Sequence, residues 1–263
     1  MKHPVFLLGL FLSGAIHAQE MVTLQTRPGV TQSFFIAHMG QRKPQAVALL
    51  MAGGGGNINL RMEQGQVRFN QGNFLPRSRR EFIRNGVLPV ILDNPSDQQR
   101  GDGMTDNFRA GAQHVTDVRA VLAEVKKRYP GLPVFIVGTS RSTLSAAYLG
   151  GALEGEVAGV VLTSSIFFSD QRARIPALAG YNWSKVKVPI LFVHHGDDGC
   201  GATPYHEAAR LARRFPLITV RGGKRAESPP CEPLAQHGFY GKEAETVDAI
   251  AAWMLGKPFP KDI

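Results

Sequence analysis

A chain of 263 residues with 43% hydrophobic side chains can bury one sizeable core, so its composition excludes a disordered polymer. Its net charge of +9 raises nucleic-acid binding, but no zinc-finger or RRM signature accompanies it. Part of the basic excess sits in residues 61–84, where Arg61, Arg68, Arg77, Arg79, Arg80 and Arg84 outnumber two glutamates and read as a solvated face; an acidic substrate or anionic envelope surface is the other reading.

The N-terminus carries Lys2 and His3, then an apolar stretch from Val5 to Ile16, then small residues around Ala18. That is the pattern of a secretory signal peptide spanning residues 1–18. A dozen apolar residues fall short of the roughly 20 that span a bilayer, so no stable membrane anchor is expected. The expected location is periplasmic or secreted, with residues 19–263 forming a single domain. In such a compartment disulfides persist, and Cys200 and Cys231 are expected to pair, contributing roughly 3–4 kcal/mol by chain entropy.

Past the leader, "MVTLQT" and "TQSFFIAH" alternate apolar and polar residues around Pro28-Gly29, predicting a hairpin of half-exposed strands. The pattern then changes. "QAVALLMAGGGG", "GVLPVILDNP", "LPVFIVGTS", "VAGVVLTSS", "VPILFVHHGDD" and "PLITVRGG" are continuous apolar runs, as expected of parallel strands covered on both faces. Helical stretches separate several of them. "TDVRAVLAEVKKRYPG" sets Val118, Val121, Leu122 and Val125 on one face and stops at Pro130-Gly131. "TPYHEAARLARRF" opens with Thr203 before Pro204, and "ETVDAIAAWMLG" closes the chain. The fold class is therefore α/β, a mostly parallel sheet of about eight strands with helices on both faces.

One stretch carries chemistry. In "VFIVGTSRSTLSAAYLGG" a buried strand ends in Gly138-Thr139-Ser140-Arg141-Ser142 and passes at once into a helix. A turn that sharp strains its central serine and needs small residues at both flanks; Gly138 meets the need fully and Ser142 approximately. The following helix N-terminus would stabilise negative charge developing at Ser140. A serine becomes a nucleophile only when a histidine takes its proton and a carboxylate orients that histidine. Downstream, "FVHHGDDGC" offers Asp198 or Asp197 as the acid, and "QHGF" offers His237 as the base.

With these residues in that order, nearly all of the chain beyond the leader resembles the α/β-hydrolase superfamily, the esterase and dienelactone-hydrolase-like serine hydrolases among its members. The resemblance favours Asp198 over Asp197 and His237 as the base. It leaves His114, His194, His195 and His206 to core, helix or loop roles. It also gives the glycine run Gly53 to Gly56 a task, one oxyanion-hole N–H from Gly54 or Gly55, with the second from Arg141. No Gly-Lys-Ser/Thr follows those glycines, so they do not read as a phosphate loop. Ala52 stands where relatives often carry histidine. The cysteines would then tie the acid loop to the histidine loop. "HHGDD" also resembles a metal-ligand cluster, but neighbouring side chains on a strand face opposite ways, so no metal is expected.

The activity implied is hydrolysis of a small or medium carboxylic ester through an acyl-enzyme, with a small-molecule acyl substrate, no cofactor and no nucleic acid. An amidase or peptidase of the same fold is the alternative within enzymes. A non-catalytic protein binding an acidic polymer is the alternative outside them. Only about twenty residues, "IFFSDQRARIPALAGYNWSK", precede "VPILFV", too few for a large cap domain. Phe167, Phe168, Tyr181 and Trp183 are candidates to edge the resulting open cleft, with core packing the expected role for most of them.

Overall fold

The computed structural model describes residues 20–170 and 175–263; the expected leader lies outside them. The chain opens with β1 (Glu20–Arg27), β2 (Val30–Ile36) and β3 (Ala46–Met51), followed by a small exposed hairpin, β4 (Arg61–Glu63) and β5 (Gln66–Arg68). Two short helices, α1 (Phe74–Arg77) and α2 (Arg79–Arg84), lead to β6 (Val87–Pro95), then α3 (Asp106–Arg109) and the long α4 (Ala112–Arg128). Next come β7 (Val134–Thr139), α5 (Ser142–Ala152), β8 (Gly159–Thr163) and a short pair, β9 (Phe168–Asp170) with β10 (Ile175–Pro176). The chain ends with β11 (Ile190–His195), α6 (Tyr205–Leu211), β12 (Leu217–Val220) and α7 (Glu243–Met254).

The main sheet has eight strands in the order β1-β2-β6-β3-β7-β8-β11-β12. β1, β2 and β6 pair antiparallel; every pair from β6 to β12 is parallel. The continuous apolar runs are explained by two cores, one on each face. In β3, Val47, Leu49 and Met51 join α4 and α5 on one side, whereas Ala46, Ala48 and Leu50 join α1, α2 and α7 on the other. The α4 face predicted from the sequence is the buried one: Val118, Val121, Leu122 and Val125 all lie inside.

The parallel arrangement brings the C-terminal ends of β3, β7, β8 and β11 to one edge of the molecule, where ligands of open α/β sheets bind. Between β8 and β11 the described residues hold only the β9–β10 pair and short 3-10 turns, and among the described residues none forms a lid over that edge. The aromatic side chains of this segment do not line the cavity at that edge that holds Ser140. Phe167, Phe168 and Trp183 are buried in the core, and Tyr181 packs edge-on against Tyr148 and Trp183. One helix start also differs from expectation. Pro204, not Thr203, is the cap residue of α6, because the Thr203 hydroxyl is turned inward toward Asp198.

Candidate active site

Ser140 follows β7 directly and has φ +53°, the left-handed conformation that non-glycine residues avoid unless the surroundings impose it. What imposes it is visible on either side. The Ser140 N–H donates to the Thr163 carbonyl at the end of β8, 3.0 Å away, and its carbonyl accepts from the Thr143 N–H, 2.9 Å away. Gly138 is obligatory: a Cβ there would lie 2.3 Å from the Ser142 carbonyl oxygen. Ser142, where the sequence pattern is looser, uses its extra atoms. Its hydroxyl donates to the Ala52 carbonyl and accepts from the Arg109 guanidinium at 2.8 Å.

Asp198 and His237 meet across the turn after β11. The His237 Nδ1 lies 3.0 Å from Asp198 Oδ2, with both side chains almost wholly shielded from solvent. Asp198 also accepts the Cys200 N–H at 3.0 Å and the Thr203 hydroxyl at 2.9 Å, while the Thr203 oxygen stands 3.2 Å from His237 Nδ1. Burial alone would raise the Asp198 pKa; the hydrogen bond from His237, the electrostatic influence of the His237 and His194 rings, and the Cys200 N–H outweigh it and hold the carboxyl below its ordinary range. Asp197 is exposed, and its N–H donates to His195 Nδ1 at 3.0 Å.

His194 and His195 diverge as adjacent strand residues must. His194 Nε2 accepts the Ser165 N–H at 2.7 Å, whereas His195 Nε2 bonds the Gly222 carbonyl at 2.9 Å. Burial pushes the His194 pKa down to about 4. His114 is buried in the helix α4, and His206 is exposed in the helix α6.

The histidine loop is fastened at several points. His237's carbonyl accepts the Ser164 hydroxyl at 2.7 Å, and Gly238 fits only because it lacks a Cβ, which would collide with the Pro233 carbonyl. Arg77 donates to the carbonyls of Pro233 and Gly238, at 3.1 and 2.9 Å, and to Glu243 at 3.1 Å. Here the sequence reading of residues 61–84 as a solvated face is wrong in part: Arg77 is an internal clamp, and Arg79 lies over the Phe69 ring. The Cys200–Cys231 disulfide joins the acid loop to the histidine loop as expected.

Ser140, Arg141, His237, Gly53 and Gly54 line one cavity of about 350 Å³, with Phe74 and Ile166 supplying apolar wall. A Cβ on Gly53 would come within 3.1 Å of Ser140 Cβ, so the glycine turn passes directly over the serine. Gly54 has φ +61°. The Gly53 carbonyl accepts the Gly56 N–H, and in a trans peptide this turns the Gly54 N–H the opposite way. Gly55 does not line the cavity. It packs against Asp102 and Gly103, and its carbonyl accepts from Asn94 Nδ2 at 2.9 Å and the Met104 N–H at 3.0 Å.

A model of the family described as serine aminopeptidase, S33, matches residues 96–222, a span that takes in Ser140 and Asp198 and stops before His237. A search of curated sequences finds no match. Solved structures do match along their length. A serine hydrolase homologue from Coxiella burnetii superimposes with a TM-score of 0.60 at 15% identity, covering 92% of this chain and 98% of its own. The chain has the fold of the α/β-hydrolase superfamily. A lidless α/β serine hydrolase from Xanthomonas campestris gives a TM-score of 0.57 at 12% identity over 93% of this chain and 96% of that one. A Butyrivibrio proteoclasticus protein solved with ferulic acid bound gives 0.60 at 14% identity over 90% and 100%. Within this fold, Thr203, Ser164, Arg77 and Arg109 are surrounding residues that sequence reasoning did not place at the site. Their bonds reach distant backbone or side-chain atoms, and only Thr203, five residues from Asp198, had a local cue.

Proposed function

We propose that the chain is an exported serine hydrolase that cleaves a carboxylic ester or related acyl bond. Ser140 Oγ attacks the carbonyl carbon as His237 takes its proton, and Asp198 holds the imidazole with its proton on Nδ1 so that Nε2 is free to accept. The backbone N–H groups of Gly54 and Arg141 bind the oxyanion of the tetrahedral intermediate. Collapse expels the alcohol, which takes the proton from His237; water then repeats the sequence on the acyl-enzyme and regenerates Ser140. The observation that carries this reading is His237, backed by the buried Asp198, in the wall of the cavity that also holds Ser140 in a left-handed turn. The disulfide supports folding in an oxidising compartment.

A fluorophosphonate probe tests it. The oxidised wild type is expected to label with one equivalent and Ser140→Ala not at all. An unlabelled, folded wild type would refute the proposal and turn attention to salt-dependent binding of acidic polymers.

A peptidase reading has one structural support. Glu232 lines the cavity and could accept the ammonium group of an aminopeptidase substrate. Faster turnover of aminoacyl p-nitroanilides than of p-nitrophenyl butyrate, abolished by Glu232→Gln, would favour it.

A further inference from the structure

Arg109 is fully buried, yet its hydrogen bonds go to uncharged oxygens: the Met104 carbonyl at 3.2 Å, the Ser142 and Ser145 hydroxyls at 2.8 and 3.2 Å, and the Gly54 carbonyl at 2.8 Å. Burying a cation is costly, and an apolar side chain of similar length would fill the same space. The nearest carboxylate in the helix α3, Asp106, is spent elsewhere, on Arg141 at 2.9 Å and the Ser169 hydroxyl at 2.5 Å. Burial lowers the Arg109 pKa to about 9, with the Arg141 charge adding to the effect and Asp106 opposing it, so the guanidinium stays charged at neutral pH.

Where those bonds end explains the expense. One arm holds the Gly54 carbonyl, in the middle of the glycine turn. The other reaches Ser142, two residues past Ser140, whose hydroxyl in turn holds the Ala52 carbonyl at the start of that turn. The glycine turn and the serine turn belong to different strands, β3 and β7, and Arg109 ties one to the other from behind. The planar fork suits this task because its donors diverge at fixed angles. We infer that Arg109 is a positioning residue for the oxyanion hole, setting the spacing between the Gly54 and Arg141 N–H groups and placing a fixed positive charge behind the forming oxyanion. The inference rests on the serine-hydrolase reading above.

A role confined to packing and a role in the oxyanion hole separate on transition-state affinity. Phenylboronic acid is a suitable probe, because Ser140 Oγ adds to boron and gives a tetrahedral anion resembling the intermediate. For Arg109→Met, kcat on p-nitrophenyl butyrate per fluorophosphonate-titrated site is expected to fall about 30-fold, less than the ~10²–10³ for loss of a donor outright. KM is expected to stay within about threefold, and the phenylboronate Ki to rise in parallel with the loss in kcat. Arg109→Lys, which keeps charge and loses the fork, is expected to fall between. Ser142→Ala cuts the link to Ala52 while leaving Arg109 in place, and is expected to show the same parallel loss at about a third of the size. If Arg109→Met does not fold, Ser142→Ala decides the matter on the same two readouts. Folded variants that keep both kcat and boronate affinity within twofold, or that change KM alone, would overturn the inference while the labelled wild type left the hydrolase reading standing. A wild type that does not label would remove both.

Discussion

Asp198 and its neighbour Asp197 stand in opposite surroundings, and the proposed mechanism depends on the difference. Both oxygens of Asp198 are occupied, one by the Cys200 N–H and the other by Thr203 and His237, and its side chain is closed to solvent, whereas Asp197 points into water. In Asp198→Asn the amide would keep Oδ1 on the Cys200 N–H and present Nδ2, a donor, to His237. The imidazole would then have to accept at Nδ1 and carry its proton on Nε2, the tautomer that cannot take a proton from Ser140. Asp198→Asn is therefore expected to lower kcat on a p-nitrophenyl ester by about 10³–10⁴-fold. Asp197→Asn should change it by no more than about twofold. A comparable loss in both variants would show that the turn, not the 198 carboxylate, is what catalysis needs.

The elements themselves were legible from their patterns, and the fastenings between them were not. A strand buried on both faces shows as a run such as "VALLM", and the serine turn shows as a glycine two residues before a serine, because each requirement is local. The tie from Arg77 to Gly238 spans 161 residues and that from Ser164 to His237 spans 73, and both end on backbone oxygens that leave no mark on residue choice at the far end. An arginine cluster at 61–84 therefore looked like surface. Arg77→Met tests its place in the structure. It strips donors from the Pro233 and Gly238 carbonyls and breaks the pair with Glu243, so the variant is expected to lose about 1.5–3 kcal/mol of stability in urea unfolding. Its catalytic cost should appear in kcat, through a looser His237, rather than in KM. Unchanged stability would mean that the disulfide and Ser164 hold the loop without it.

Taken whole, the molecule stakes its stability on groups that must stay uncharged or paired inside it, and this gives its pH response a sign. His114 is enclosed in the core, where burial first and the charges of Arg109 and Arg27 second hold its pKa down at about 3; burial holds that of His194 at about 4. In the unfolded chain both return to about 6.5, so the unfolded state binds more protons as acid is added. The stabilisation is fully present above pH 6.5 and is lost as pH falls toward 4 and 3. Asp198 acts in the same direction in a lower window, because its folded pKa is depressed and its contribution disappears below about pH 4. Between pH 7.5 and 5, each of the two histidines is expected to remove about 2 kcal/mol from the unfolding free energy. His114→Leu replaces one of them with an apolar side chain that has nothing to protonate. Urea unfolding of this variant at the two pH values should show a fall about 2 kcal/mol smaller than that of the wild type. Parallel loss in both proteins would mean that His114 is protonated in the folded state at pH 5, and that the acid sensitivity of the fold lies elsewhere.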